Sequence, residues 1–79
     1  MTTLEIDVHG FSKDLTVRAI QNLIRRHPEA TCIEVIHGYH NGCAIKNLLS
    51  NKCNIHSSRV LRTLPVPFND GRTMIILKQ

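Results

Sequence analysis

The segment Thr3-Leu4-Glu5-Ile6-Asp7-Val8-His9-Gly10 defines the first element of the fold. Apolar side chains alternate there with polar ones, which is the two-residue period of a strand with one buried face. Because Gly10 ends the alternation, the sequence predicts a first strand from Thr3 to Val8. Asp7 and His9 are two residues apart and therefore share one side of the chain.

A helix and a second strand follow. Ser12 is the predicted N-cap of the helix, with Thr16 as the alternative, and Pro28 stops the helix. Its apolar stripe consists of Leu15, Ala19, Ile20, Leu23 and Ile24. The β-branched run from Thr31 to Ile36 predicts a strand covered on both faces, in a parallel pair with the first. It leads into His37-Gly38.

The remaining elements are a short helix and two strands. Ala44, Ile45, Leu48 and Leu49 form the stripe of the second helix, which begins after Asn41-Gly42. Arg59 to Leu64 alternates as a strand, and Pro65 and Pro67 interrupt it. Asn69-Asp70-Gly71 predicts a turn before an apolar strand from Thr73 to Lys78, while Phe11 and Phe68 are expected in the core.

The element order is therefore β-α-β-α-β-β. It predicts an α+β two-layer fold with a mixed four-stranded sheet, in which the first two strands are parallel and the last two form a hairpin. The 79 residues, with no linker or repeat, suit a single domain over residues 1–79.

Composition narrows the class of protein. With 42% hydrophobic and 20% charged residues, the chain is expected to fold. No apolar run of about 18 residues exists to cross a membrane, so no membrane association is predicted. Acidic residues near the start, where a signal peptide would be basic and then apolar, favour a cytoplasmic location.

The net charge of +4 is unevenly distributed. Residues 35–69 contain no acid, and their basic residues are Lys46, Lys52, Arg59, Arg62, His37, His40 and His56. A basic face of this kind supplies non-specific affinity for nucleic acid, although many proteins with a similar surplus bind none.

Three cysteines without a secretion signal indicate reduced thiols rather than disulfides. An alternative is a zinc site, for which the candidate ligands are His37, His40, Cys43, Cys53 and His56. Their spacing matches no familiar zinc finger and contains no CxxC pair, so the sequence predicts no metal site.

Two histidine-glycine segments are expected to meet at one edge of the sheet. His9-Gly10 leaves the first strand, and His37-Gly38-Tyr39-His40-Asn41-Gly42 leaves the second and leads into a helix N-terminus. Parallel strands present their carboxyl ends at the same edge, where ligands bind in such sheets, and a helix N-terminus attracts phosphate.

These two motifs, in this order, resemble those of the small MutS-related (Smr) domain family. That family pairs an L-D-x-H-G element with a later H-G-x-G-x-G element, and the resemblance spans nearly the whole chain. It implies a fold like the C-terminal domain of translation initiation factor 3. It also implies a protein that binds DNA or RNA and in several members nicks or cleaves it.

By position, Asp7 and His9 match the first family element, and His37, Gly38 and Gly42 match the second. The sequence departs from the family at His40, which stands at the middle glycine and adds a titratable ring. We therefore expect the loop to hold phosphate less closely, or His40 to add a contact of its own.

The predicted catalytic residues are Asp7, His9 and His37. The predicted nucleic-acid or phosphate contacts are Gly38, Tyr39, His40, Gly42, Lys46, Arg59 and Arg62. The alternatives are structural: Asp7 caps a loop, His9 bonds a carbonyl, His37 is a satisfied core histidine, and the cations are solvated charges. With Phe11 and Phe68 expected inside, no stacking platform for single strands is predicted.

The predicted function is a nucleic-acid-binding, phosphodiester-cleaving (nicking) endonuclease on RNA or DNA. RNA cleavage through the 2′-OH needs no metal, whereas DNA cleavage usually calls for a divalent ion such as Mg²⁺. Because only Asp7 supplies a carboxylate at the predicted edge, RNA is slightly favoured. The alternative is a non-catalytic module that binds RNA, the ribosome or a protein.

Overall fold

The described residues fold around one mixed four-stranded β-sheet. The structure is a computed structural model that describes residues 2–38 and 44–78. Its elements are β1 (Thr3–Asp7), α1 (Lys13–Arg26), β2 (Cys32–Ile36), α2 (Ala44–Ser50), a 3-10 helix (Lys52–Ile55), β3 (Val60–Val66) and β4 (Asn69–Leu77). The strand order is β1-β2-β4-β3, with β1 and β2 parallel and the other pairs antiparallel. The predicted mixed four-stranded sheet is confirmed.

The helices form a single layer on one face of the sheet. The two α-helices and the 3-10 helix contact one another, so the predicted two-layer architecture is confirmed. Alternate strand residues such as Ile33, Val35 and Ile75 are fully buried against this layer. On the other face Cys32 is buried, whereas Glu34 and Ile36 are half-buried. The prediction that β2 is covered on both faces therefore holds at Cys32 but is wrong for Glu34 and Ile36, because the described helices pack on one side.

Ser12 begins helix α1, as predicted. Its hydroxyl oxygen accepts a hydrogen bond from the N–H of Leu15 at 3.1 Å, which satisfies one of the free donors of the first turn. Thr16, the alternative cap, lies inside the helix and donates its hydroxyl to the carbonyl of Ser12. The helix buries Ile20 and Ile24 in the core, and Phe11 packs against the same core.

The closing hairpin differs from the sequence-based expectation. The predicted turn at Asn69-Gly71 lies within β4, and the chain reverses instead at Pro67-Phe68. Pro65 is accommodated because β3 is an edge strand, where the missing N–H is not needed. The expectation that Phe68 is a core residue was wrong: the turn places its side chain fully in solvent.

A β-bulge changes which side chains of β3 face the core. Val60 pairs with Leu77 and Arg62 with Ile76, which leaves Leu61 as the extra residue. Val60 faces the core, and after the bulge Thr63 lies on the helix side, where its hydroxyl is 3.4 Å from the Ser50 carbonyl. Arg62 is exposed on the opposite face.

Arg59 ties the start of β3 to the end of helix α1. Its guanidinium donates to four carbonyls at distances of 2.9 to 3.2 Å, those of Ile24, His27, Pro28 and Ala30. These carbonyls lie at the negative end of the helix dipole, where a cation is stabilising.

Within residues 2–38 and 44–78, no helix is long and apolar enough to span a membrane.

We expect Arg59→Lys to lower the free energy of unfolding by about 1–3 kcal/mol, because an ammonium cannot reproduce the planar four-bond arrangement. Urea denaturation measures the change. Arg62→Lys, three residues further along the chain, is the matched control and should have an effect within about 0.5 kcal/mol. Equal effects of the two substitutions would contradict this role of Arg59.

Candidate functional site

The two histidine-glycine segments meet at the carboxyl edge of β1 and β2. Asp7 is the register partner of Ile36, and the N–H of Val8 donates to the Ile36 carbonyl at 2.9 Å. A Cβ added to Gly38 would lie 3.5 Å from the Cβ of His9. The juxtaposition predicted from the parallel pair is confirmed.

A tight turn sets the position of His9. The N–H of Phe11 donates to the Val8 carbonyl at 3.0 Å, so His9 and Gly10 are the central residues of a β-turn. Gly10 has φ +80°, a conformation that glycine adopts without a steric penalty. The turn presents His9 at the surface, with its side chain 72% exposed.

Asp7 holds His9 through two hydrogen bonds to one carboxylate oxygen. Oδ1 of Asp7 accepts the His9 backbone N–H at 3.0 Å and lies 2.6 Å from Nδ1 of the ring. These bonds, first the one from the ring, lower the pKa of the Asp7 carboxyl. An ionised carboxylate only accepts hydrogen bonds, so the pair places the ring hydrogen on Nδ1. Nε2 of a neutral His9 then carries the lone pair that can accept a proton.

His37 is buried, in contrast to His9. Only 2% of it is exposed, its Nε2 lies 2.9 Å from the hydroxyl oxygen of Thr73, and its Nδ1 lies 3.3 Å from the Gly38 carbonyl oxygen. Both ring nitrogens therefore have partners within the protein. A catalytic or phosphate-contacting role for this ring stays a prediction, and the contacts observed are those of a satisfied core histidine.

Gly38 follows with φ +74°. Its N–H and that of His37 both donate to the carbonyl of Gly71, at 3.0 and 2.9 Å. The predicted phosphate contact by Gly38 also stays a prediction, and its amide hydrogen already has an acceptor. What Gly38 supplies here is a backbone without a side chain directly beside His9.

The other predicted contacts are not all near this edge. Lys46 lines a cavity of about 170 Å³ together with Thr73, the partner of His37, and it therefore lies on the same side of the fold. Arg62 pairs with Ile76, whose β2 partner is Cys32. Cys32 is four residues, or roughly 13 Å, from Ile36 along the strand.

Arg59 lies at the C-terminal end of helix α1, where its guanidinium already has four acceptors. Nucleic-acid contact by Arg59 and Arg62 stays a prediction, for a surface separate from the His9 edge. Tyr39, His40 and Gly42, also predicted as contacts, lie outside the described residues.

Two residues at this edge did not figure in the sequence analysis. Thr73 is the one polar side chain in the core-facing series Thr73, Ile75 and Leu77, and that exception was visible in the sequence. Arg72 faces the other side, where its Nη1 lies 3.1 Å from Glu34 and 3.6 Å from Glu5. Its position depends on the register of β4 against β2, which the sequence does not specify.

The two cysteines of the described residues form no disulfide. Cys32 and Cys53 are free, and burial raises the pKa of the Cys32 thiol, so it stays protonated. No group of three potential metal ligands occurs in the described segments. Two members of the alternative zinc set, His40 and Cys43, lie outside those segments.

Comparison with known proteins supports the fold assignment. The chain is similar to the Smr domain of MutS2 from Thermus thermophilus, with a TM-score of 0.80, 15% sequence identity, and coverage of 96% of this chain and 99% of that one. The chain therefore has the fold of an Smr domain, as the resemblance in its motifs implied. No protein-family model and no curated protein matches the sequence.

We predict that Thr73→Val lowers the free energy of unfolding by about 1–3 kcal/mol, because the shape is kept while a buried nitrogen of His37 loses its partner. Thr73→Ser retains the hydroxyl and should restore the hydrogen bond. Urea denaturation of the three proteins measures this. If the valine variant is as stable as the parent, the bond contributes nothing to the fold.

A second prediction concerns Asp7. The lowered pKa means that the stabilisation from hydrogen bonds to the Asp7 carboxylate is fully present above the ordinary carboxyl pKa and is lost as the pH falls through the lowered value. In His9→Ala the pKa of Asp7 should rise part of the way to its ordinary value, because the ring bond is lost and the backbone bond remains. Carboxyl ¹³C NMR titration measures it. The pKa of Glu29, also lowered by local hydrogen bonds, should not move.

Proposed function

We propose that this chain is a nucleic-acid-binding module that cleaves phosphodiester bonds, with RNA as the favoured substrate. The observation that carries the proposal is the exposed Asp7–His9 pair beside the bare backbone of Gly38. It combines an exposed group able to take a proton with a neighbouring residue that has no side chain. We propose that the protein acts in the cytoplasm, in keeping with its free cysteines.

Binding to nucleic acid is supported by charge and by fold. The net charge of +4 gives non-specific attraction to a polyanion. The motif resemblance to the Smr family is joined by the structural similarity to one Smr domain. Phosphate contacts from Gly38, Lys46 and Arg62, and from the loop residues Tyr39, His40 and Gly42 outside the described segments, remain part of the proposal.

In the proposed reaction His9 is the general base. Its Nε2 removes the proton of a ribose 2′-OH, while Asp7 holds the ring by Nδ1 and stabilises the imidazolium that forms. The 2′ oxygen forms a bond to phosphorus, and the bond from phosphorus to the 5′ oxygen breaks. The leaving 5′ oxygen takes a proton from solvent water, and the His9 imidazolium returns the proton that it removed to the hydroxide left behind. The products are a 2′,3′-cyclic phosphate and a 5′-OH, and no oxidant or other reactant is consumed.

His37 serves this reaction as a positioning residue. It is bonded to Thr73 on one side and approaches the Gly38 carbonyl on the other, so it fixes the backbone against which His9 packs. This assignment departs from direct catalysis by His37 because its ring is buried.

A divalent ion is not used in this scheme. Among the described residues, the one carboxylate beside His9 is Asp7, and its Oδ1 already accepts two hydrogen bonds from His9. These residues do not fit a magnesium site, which needs several free oxygen ligands. The proposed steps therefore depend on this chain's own side chains.

A non-catalytic module that binds RNA, the ribosome or a protein is the second candidate. It is favoured by the burial of His37, which leaves His9 as the exposed acid-base group at the described part of this edge. Ribonucleases of this type generally need an acid for the leaving group as well as a base. The following experiment separates the two candidates.

We predict that His9→Ala lowers the cleavage rate of labelled single-stranded RNA about 10²-fold or more, with little change in affinity, because it removes the base and leaves the backbone in place. His27→Ala is the matched control. His27 also pairs through Nδ1 with a carboxylate two residues away, Glu29 at 3.1 Å, but it lies at the far end of helix α1. Its loss should leave cleavage unchanged.

Rates are measured with and without Mg²⁺ or chelator, and affinities by titration at several salt concentrations. Equal rates for His9→Ala and the parent would contradict the catalytic assignment. Tight binding without a product in any form would establish the second candidate. The absence of both binding and cleavage would remove the proposed function.

A further inference from the structure

The tip of the closing hairpin carries a fully exposed aromatic ring. Val66 pairs with Asn69, so Pro67 and Phe68 are the two residues of the turn. Phe68 has φ +61°, and its side chain is as exposed as in an extended peptide. It is one of only three aromatic residues among Phe, Tyr and Trp in the chain.

Phenylalanine is an unfavourable residue for the positive φ at position 68. Pro67 followed by a residue with positive φ is the pattern of a type II turn, in which glycine or asparagine is favoured at the second position. A bulky side chain is strained there. The fold gains no core contact from the ring in return, so packing within the described residues does not account for a phenylalanine at this position.

The hairpin tip projects from the same edge of the sheet as the candidate site. The register pairs Arg72 of β4 with Ile36, the last residue of β2. Beyond this pair the Gly71 carbonyl accepts the N–H groups of His37 and Gly38. Phe68 is four residues beyond Arg72 and therefore extends by roughly 13 Å past the end of β2.

We propose that Phe68 stacks on an unpaired base of the nucleic acid whose phosphodiester lies at His9 and Gly38. The inference rests on the proposed function and specifies its substrate class: a segment with unpaired bases rather than a continuous duplex. A ring fully in solvent offers a flat face to a base, and such stacking tolerates any base sequence. Bases within a duplex are already stacked on each other and cannot cover the ring.

A protein partner fits this tip less well. A stable protein interface buries about 800 Å² on each partner. Among the described residues, the apolar side chains exposed near the tip are few: Leu64, Pro65, Pro67 and Phe68. Lys46 lines the same cavity as Leu64 and Pro65, on one face of the hairpin, whereas Arg72 on the other face of β4 is paired with Glu34 and Glu5. A single exposed ring with so little apolar surface around it suits the face of a nucleotide base better than an apolar protein surface.

The first test replaces Phe68 by the residue that its backbone favours. Phe68→Asn should leave the melting temperature unchanged or raised, since asparagine tolerates positive φ. It should weaken binding of a single-stranded oligonucleotide about tenfold or more and leave binding of a blunt duplex unchanged. Leu61→Asn, which removes another exposed apolar side chain of the same hairpin, is the matched control and should change neither affinity.

The second test uses fluorescence. The chain contains no tryptophan, so Phe68→Trp introduces a single reporter that keeps an aromatic face. Its emission should be quenched on addition of single-stranded oligonucleotide and remain unchanged on addition of the duplex. The affinity of this variant for the single strand should equal or exceed that of the parent.

The outcomes distinguish this inference from the function on which it rests. If the parent binds neither single strand nor duplex, the proposed function and the inference both fail. If the parent binds but Phe68→Asn and Leu61→Asn behave alike, or the tryptophan responds equally to both nucleic acids, only the stacking role is overturned. The same holds if Phe68→Asn leaves the single-strand affinity unchanged and instead abolishes self-association in sedimentation.

Discussion

The carbonyl of Gly71 is the point on which the described site depends. It accepts the N–H groups of two consecutive residues, His37 and Gly38, as the chain leaves β2. This fixes the end of a central strand to the beginning of β4, and the hydrogen bond between His37 and Thr73 joins the same two strands two residues further on. The hairpin that carries Phe68 is continuous with β4. One junction therefore holds both the glycine beside His9 and the exposed aromatic ring.

The two histidines of the paired motifs have different surroundings because of this junction. His37 lies at the end of a buried strand, and its ring packs inward where Thr73 satisfies it. His9 lies on a turn at the end of an edge strand, so its ring remains in solvent and Asp7 orients it. The proposed chemistry follows this difference. An exposed imidazole can exchange protons with a substrate, whereas a buried one with two partners stabilises the backbone around the site.

Hydrophobic periodicity predicted the sheet, the first helix with its Ser12 cap and the meeting of the two histidine-glycine segments. These features depend on local patterns and on the rule that parallel strands end at one edge. The errors came from longer-range pairing. The Asn69-Asp70-Gly71 segment predicted a turn after a strand interrupted at Pro65 and Pro67. The edge position of β3 instead lets Pro65 remain in the strand, and the turn lies at Pro67-Phe68. The binding partners of Arg59 depend on how the hairpin packs against helix α1, which no local pattern encodes.

The described residues contain two contacts between a histidine and a carboxylate two residues away, at Asp7–His9 and at His27–Glu29. The difference between their surroundings makes only the first a candidate site. His27 and Glu29 repeat the contact between Nδ1 and a carboxylate two residues away. That second pair lies where helix α1 ends, beside carbonyls already occupied by Arg59. The first pair lies at the edge of the parallel strands, beside Gly38, which has no side chain of its own. The surroundings of the pair, more than the pair itself, therefore favour a phosphodiester at His9.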